Sequence, residues 1–268
     1  MSYISEIFNS GYRDILASVK GYELAAILGW QDIRQRYRRS SLGPFWLTLS
    51  MGVLIGALGM VFGTIFRAPL SKMLPFLTTG LILWTLISTS LNEGCTGFTA
   101  AEAIIKQIKM PLFSHILRVL WRNFVIFLHN IVIFPLVMLV FWKPIPATAV
   151  LSILGLAVLM INLSWMALLL GVFCTRFRDV PQIVSSLLQV MFYLTPIIWM
   201  PELVPARAAL LLLKPNPFYH LIEIVRGPLM GTTPSTMNWL VGIVMALVGW
   251  SFTTMFYGRF RARIAYWL

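Results

Sequence analysis

The densest chemistry in this chain is four arginines within six positions, Arg34, Arg36, Arg38 and Arg39, followed by a break at Gly43-Pro44 and a long apolar run. Guanidinium groups grip phosphate through charge-assisted, often paired hydrogen bonds, so the cluster suits a lipid-phosphate headgroup. It suits equally well a role confined to fixing topology and binding bulk lipid, and residue types alone leave the two open. A second group is the stripe His115, Arg118, Arg122 and His129. Ionisable groups at membrane depth line bundle interiors or aqueous cavities, although these arginines also lie where they can snorkel to headgroups. Acidic residues number nine and none is placed to pair convincingly at membrane depth; Glu93, read near the outer end of the second span, is the nearest to an isolated carboxylate. Cys95 and Cys174 have no metal-type spacing and read as structural. The sequence contains no P-loop, HExxH, GxSxG or Cys/His cluster, so no catalytic residue, no metal site and no ATP site is expected. The shortage of placed carboxylates also weighs against a proton-driven transporter or a membrane glycosyltransferase.

The elements that carry these groups are set by composition. Of 268 residues, 59% are hydrophobic and 11% charged, more apolar surface than a soluble domain of this size can bury. The net charge of +12 therefore reports membrane topology and anionic lipid rather than nucleic acid. Apolar runs near the roughly 20 residues that cross a bilayer predict six spans, Trp46–Phe66, Leu74–Leu91, Val119–Phe141, Ala147–Cys174, Ile183–Trp199 and Met237–Tyr257. With both termini cytoplasmic, basic residues divide fifteen inside to six outside. Met1 to Ser18 shows no cleavable signal peptide.

Four segments need separate treatment. Leu24–Arg39 reads as an amphipathic interfacial helix with Leu24, Ile27 and Leu28 on one side. Ala100–Pro111 reads as a short cytoplasmic helix whose Glu102, Lys106 and Lys109 alternate with isoleucines. Gly52, Gly56, Gly59 and Gly63 fall on one face of the first span, fit either for packing within the subunit or for a dimer seam or pore wall. Pro201–Pro234 predicts two short re-entrant helices, because Lys214-Pro215-Asn216-Pro217 interrupts its apolar stretches.

The segments YRRSSLGPFW at Tyr37 to Trp46, CTRFRDVPQIVSSLLQVMFYLTPIIW at Cys174 to Trp199 and NPFYHLIEIVRGPLMG at Asn216 to Gly231 together resemble the permease subunits of ABC-2 type exporters that move lipid-linked polysaccharides. The resemblance implies an all-α integral membrane protein: six transmembrane helices, an N-terminal amphipathic gate helix and periplasmic re-entrant gate helices. Its organisation would be a cytoplasmic segment 1–45, a transmembrane domain 46–258 with a coupling helix 100–111 and a gate segment 201–231, and a cytoplasmic tail 259–268. It further implies a homodimer, two separate ATPase subunits that bind ATP and Mg, and O-antigen export at a bacterial inner membrane, with capsule or teichoic-acid export as the neighbouring alternatives. A stand-alone membrane channel or a lipid-modifying membrane enzyme is the alternative from another class. On this view Phe45, Trp46, Trp84, Phe192, Tyr193 and Trp199 are candidates for an aromatic channel wall that grips sugar rings weakly, and Glu102, Lys106 and Lys109 are candidates for ATPase coupling.

Overall fold

Helices account for the regular structure throughout the described residues, with no strand among them. The computed structural model describes residues 3–37, 43, 45–203 and 205–268. Twelve α-helices occur there: α1 Tyr3–Lys20, α2 Tyr22–Tyr37, α3 Phe45–Ile65, α4 Leu70–Cys95, α5 Glu102–Gln107, α6 Phe113–Ile131, α7 Ile133–Val140, α8 Leu151–Arg176, α9 Val180–Leu194, α10 Ala206–Leu213, α11 Pro217–Leu229 and α12 Thr236–Trp267.

Among the described residues five stretches are long and apolar enough to cross a membrane: α3, α4, α6 with α7, α8 with the short turn before it, and α12. The expected fifth span, Ile183–Trp199, is instead the 15-residue α9. At about 1.5 Å per residue it reaches roughly 22 Å, short of a hydrocarbon core of about 30 Å. It stops because Pro196 forces Thr195 into an extended conformation (φ −89°, ψ 137°). Proline also explains the break between α6 and α7: Pro135 has no N–H to offer the Ile131 carbonyl.

The most enclosed span is α4, which packs against α3, α6, α7, α8, α9 and α11. It meets α8 closely at small residues, where a Cβ on Gly94 would lie 2.8 Å from the Ala167 side chain. Gly155 of α8 is tighter still, since a Cβ there would come within 2.2 Å of the Ile224 carbonyl oxygen of α11.

Two features were not anticipated. α1 is a full helix that crosses α12 at Gly11 and Gly258, where a Cβ on Gly258 would sit 2.1 Å from the Ile7 carbonyl oxygen. α12 runs on through residues 258 and 259 to Trp267, so the expected tail continues the last span. In α2 the packed face is Ala25, Gly29 and Ile33 against α6, whereas Leu24 and Ile27 stay exposed for an apolar environment. On either side of Lys214–Asn216, α10 and α11 form the two expected short helices.

Candidate functional site

At one end of the bundle, α2 is fastened to α6 by charge. Asp32 accepts from Arg118 through both carboxylate oxygens and from Arg122 Nη1 at 2.9 Å; Arg122 Nη2 also donates to Glu93 Oε2 at 2.7 Å, and Asn123 donates to the same oxygen. The result is a lattice of two guanidiniums and two carboxylates joining α2, α6 and the last turn of α4. Two sequence-based expectations are corrected here. Glu93 belongs to the end that the charge count assigns to the inside, not to an outer end, and the acidic residues do pair: among the described residues Asp14, Asp32, Glu93 and Glu223 each hold an arginine. These pairs span up to 247 positions of sequence, from Asp14 to Arg261, which no local spacing reveals.

Burial works to raise the Asp32 carboxyl, but the hydrogen bond and charge of Arg118, joined by Arg122, outweigh it and hold the group below its ordinary value. A depressed carboxyl contributes stability that is complete above the unfolded value, about 3.9, and is lost as pH falls through the folded value. The thermal midpoint of the purified protein should therefore fall more steeply with acid, below about pH 4, than that of the Asp32→Asn variant. Equal slopes for the two proteins would show that Asp32 does not carry this term.

Beside the lattice, the short 3-10 turn Thr99–Ala101 leads into α5. Glu102 and Lys106 pair across one helical turn at 2.6 Å, both well exposed, and α5 ends at Gln107 with Ile108 extended and exposed. The helix is thus shorter than the expected Ala100–Pro111, and Lys109 lies beyond it. Lys106, by hydrogen bond and charge, lowers the Glu102 carboxyl, with a smaller contribution from Arg178 in the turn between α8 and α9.

The opposite end of the bundle is a knot of the segments that carry the family resemblance. Asn216 caps α11, accepting from Phe218 N and Tyr219 N, while its Nδ2 donates to Thr195 Oγ1 at 2.9 Å. Arg226, 2% exposed, donates to the Pro196 carbonyl at 2.6 Å and to Glu223 Oε2, with its guanidinium 4.2 Å from the Phe76 ring. Trp84 sits between Phe192 and Phe218, at centroid distances of 5.9 and 5.6 Å. Nothing in the sequence distinguished Arg226 from the other basic residues counted outside.

The expected wall residues therefore separate. Trp84 is 7% exposed, and its ring supports the subunit from within because Phe192 and Phe218 close over it. Phe192 and Trp199 are half-buried, the latter donating its indole N–H to the Tyr193 carbonyl. Phe45, Trp46 and Tyr193 are exposed, at 70%, 55% and 59%. The glycine face divides too. Gly59 and Gly63 back onto Leu74 and Leu70, whereas a Cβ at Gly52 or Gly56 meets nothing within 4 Å. The stripe on α6 keeps three members together; His129 stands apart, its ring against Phe45 and its Nδ1 on the Val125 carbonyl. Of the four clustered arginines, Arg34 is exposed on α2 and Arg36 lies in its last turn, while Arg38 and Arg39 lie outside the described residues. Among the described residues no group of three or more His, Cys, Asp or Glu is arranged to hold a metal ion.

The family model for the ABC-2 type transporter matches residues 23–230. The chain belongs to the ABC-2 type transporter family. Relatives of similar length include two O-antigen export system permease proteins RfbA of Klebsiella pneumoniae. The first is 24% identical over 238 residues, covering 86% of this chain and 90% of the relative; the second is 22% identical over 240 residues, covering 85% and 90%. An RfbA of Myxococcus xanthus is 26% identical over 215 residues, 79% of this chain and 78% of the relative. The ABC-2 match begins in α2 and ends just past α11. It takes in both the ion-pair lattice and the opposite knot, and leaves α1 and α12 outside, the two helices that interlock at Gly11 and Gly258.

Proposed function

We propose that this ABC-2 permease is the membrane subunit of an ATP-driven exporter that carries lipid-linked polysaccharide, O-antigen in type, across a bacterial inner membrane. The observation that carries the reading is likeness to O-antigen export permeases along more than three quarters of both chains. The physical features agree with it. α3 and α9 contain no acidic side chain, lysine, arginine or histidine, and they expose Phe45, Trp46 and Tyr193 together with aliphatic residues. Aromatic and aliphatic faces hold the C–H faces of sugar rings weakly, which lets a polymer move many steps without stalling.

In this reading two copies of the chain enclose the path, the open Gly52 and Gly56 positions admitting the second copy. ATP and Mg are bound by a separate ATPase subunit on each copy, docked at α5. The termini and the Asp32 end face the cytoplasm, and Arg34, Arg36, Arg38 and Arg39 hold the phosphate of the lipid carrier. Deleting the gene tests the function: glycan should vanish from the cell surface while its lipid-linked form accumulates inside. A normal surface with no internal accumulation would sink the glycan assignment.

A further inference from the structure

Behind the ion-pair lattice lies a cavity of about 210 Å³, bounded by the end of α4, the Thr99–Ala101 turn and the His115–Arg118–Arg122 face of α6. His115 is 1% exposed, and neither ring nitrogen has a hydrogen-bond partner among the described residues; the Nε of Arg122 is likewise buried without one. Buried polar atoms are satisfied in all but rare cases, and a polar cavity this large exceeds by far the roughly 10–15 Å³ that one water needs.

The charges decide what kind of partner fits. Two guanidiniums already face two carboxylates, Arg118 and Arg122 against Asp32 and Glu93. A net-charged ion would unbalance that set. The groups left over want a neutral molecule that both donates and accepts. Water does this: it accepts from the Arg122 Nε–H and donates to the unprotonated nitrogen of the His115 ring, and a second water accepts from the ring N–H. We infer that this chamber is a binding site for an internal water cluster, and that the hydrated layer lets the Thr99–Ala101 turn shift against the lattice, passing motion from α5 to α2. A dry, apolar contact at this place would resist such movement, because packed side chains are bistable rather than deformable. Hydration of the chamber stands apart from the exporter proposal; its use in transmission rests on it.

Radiolytic hydroxyl-radical footprinting of the protein in lipid nanodiscs reads the water directly. His115 should be modified several-fold faster than Phe113, which is equally buried at 1% but does not line this chamber. Val119→Phe, which fills the chamber, should bring His115 down to the Phe113 rate, and Ala100→Leu at the exposed rim serves if the first variant does not fold. His115 modified no faster than Phe113, or unaffected by filling, overturns the hydrated site. In cells, filling should lower glycan export several-fold while the ATPase still co-purifies. Normal export from a protein whose chamber has been filled overturns the role in transmission, whereas loss of His115 labelling without any glycan phenotype in the deletion strain would count against the exporter proposal alone.

Discussion

Replacing Asp14 with alanine should destabilise the protein by about 3–5 kcal/mol, because it leaves several buried groups without their partner. The Asp14 side chain is 1% exposed and holds three helices at once. It accepts from the backbone N–H groups of Leu112 and Phe113 at the start of α6, from the Tyr257 hydroxyl of α12 at 2.5 Å, and pairs with Arg261 at 2.8 Å. The first N–H groups of a helix have no partner within it, so this carboxylate caps α6 from a distance and sits at its positive end. Truncation would strand two backbone donors and a phenol, and would leave Arg261, 38% exposed, to water alone. Asp14→Asn keeps an accepting oxygen but no charge for Arg261, and should recover part of the loss. In a chain of this size each kcal/mol corresponds to a midpoint shift of about 2–4 °C, so a fluorescence-detected thermal melt in detergent should fall by about 10 °C. A shift under about 2 °C would mean that water reaches these groups readily and that Asp14 is not the clamp it resembles.

The same residue shows why α1 was illegible in the sequence. Hydropathy detects helices whose solvent is the bilayer, and it placed α3, α4 and α8 with ends within a few residues. α1 is held instead by close backbone approach at Gly11 and by a buried carboxylate, features that read locally as a mixed polar stretch. α9 was overestimated because apolar residues continue past Thr195 although the helix does not. The proline-rich Lys214–Pro217 break was legible because its effect is local. Glu93 and Arg122 are 29 residues apart, and only the antiparallel approach of α4 and α6 makes them neighbours. The stripe on α6 was visible as periodicity, but its partners on α2 and α4 were not. Trp84 shows the converse limit: an aromatic residue in a span has the same signature whether it faces a path or the interior.

The second large effect concerns Arg226. Its guanidinium joins α11 to the segment after α9 through the Pro196 carbonyl, to Glu223 on its own helix, and to α4 through the face of Phe76. Arg226→Ala should cost about 3–5 kcal/mol, because Glu223, with a side chain 21% exposed, and the Pro196 carbonyl would lose their donor in a poorly solvated site. Lysine should rescue little: an ammonium lacks the planar fork that reaches two acceptors while stacking on a ring. The informative comparison is the double variant Arg226→Leu, Glu223→Leu. Removing both charges spares the cost of an unpaired, partly buried carboxylate, so the pair together should be less destabilising than Arg226→Leu alone, the reverse of additivity. Thermal midpoints for the four proteins of this cycle give the coupling. If the double variant lost as much as the sum of the singles, Glu223 would be independent of Arg226, and the bond to Pro196 and the contact with Phe76 would carry the whole effect. A positive coupling assigns the clamp to the ion pair, and with it the position of α11 against α4 at the end of the bundle where Asn216, Thr195 and Trp84 meet.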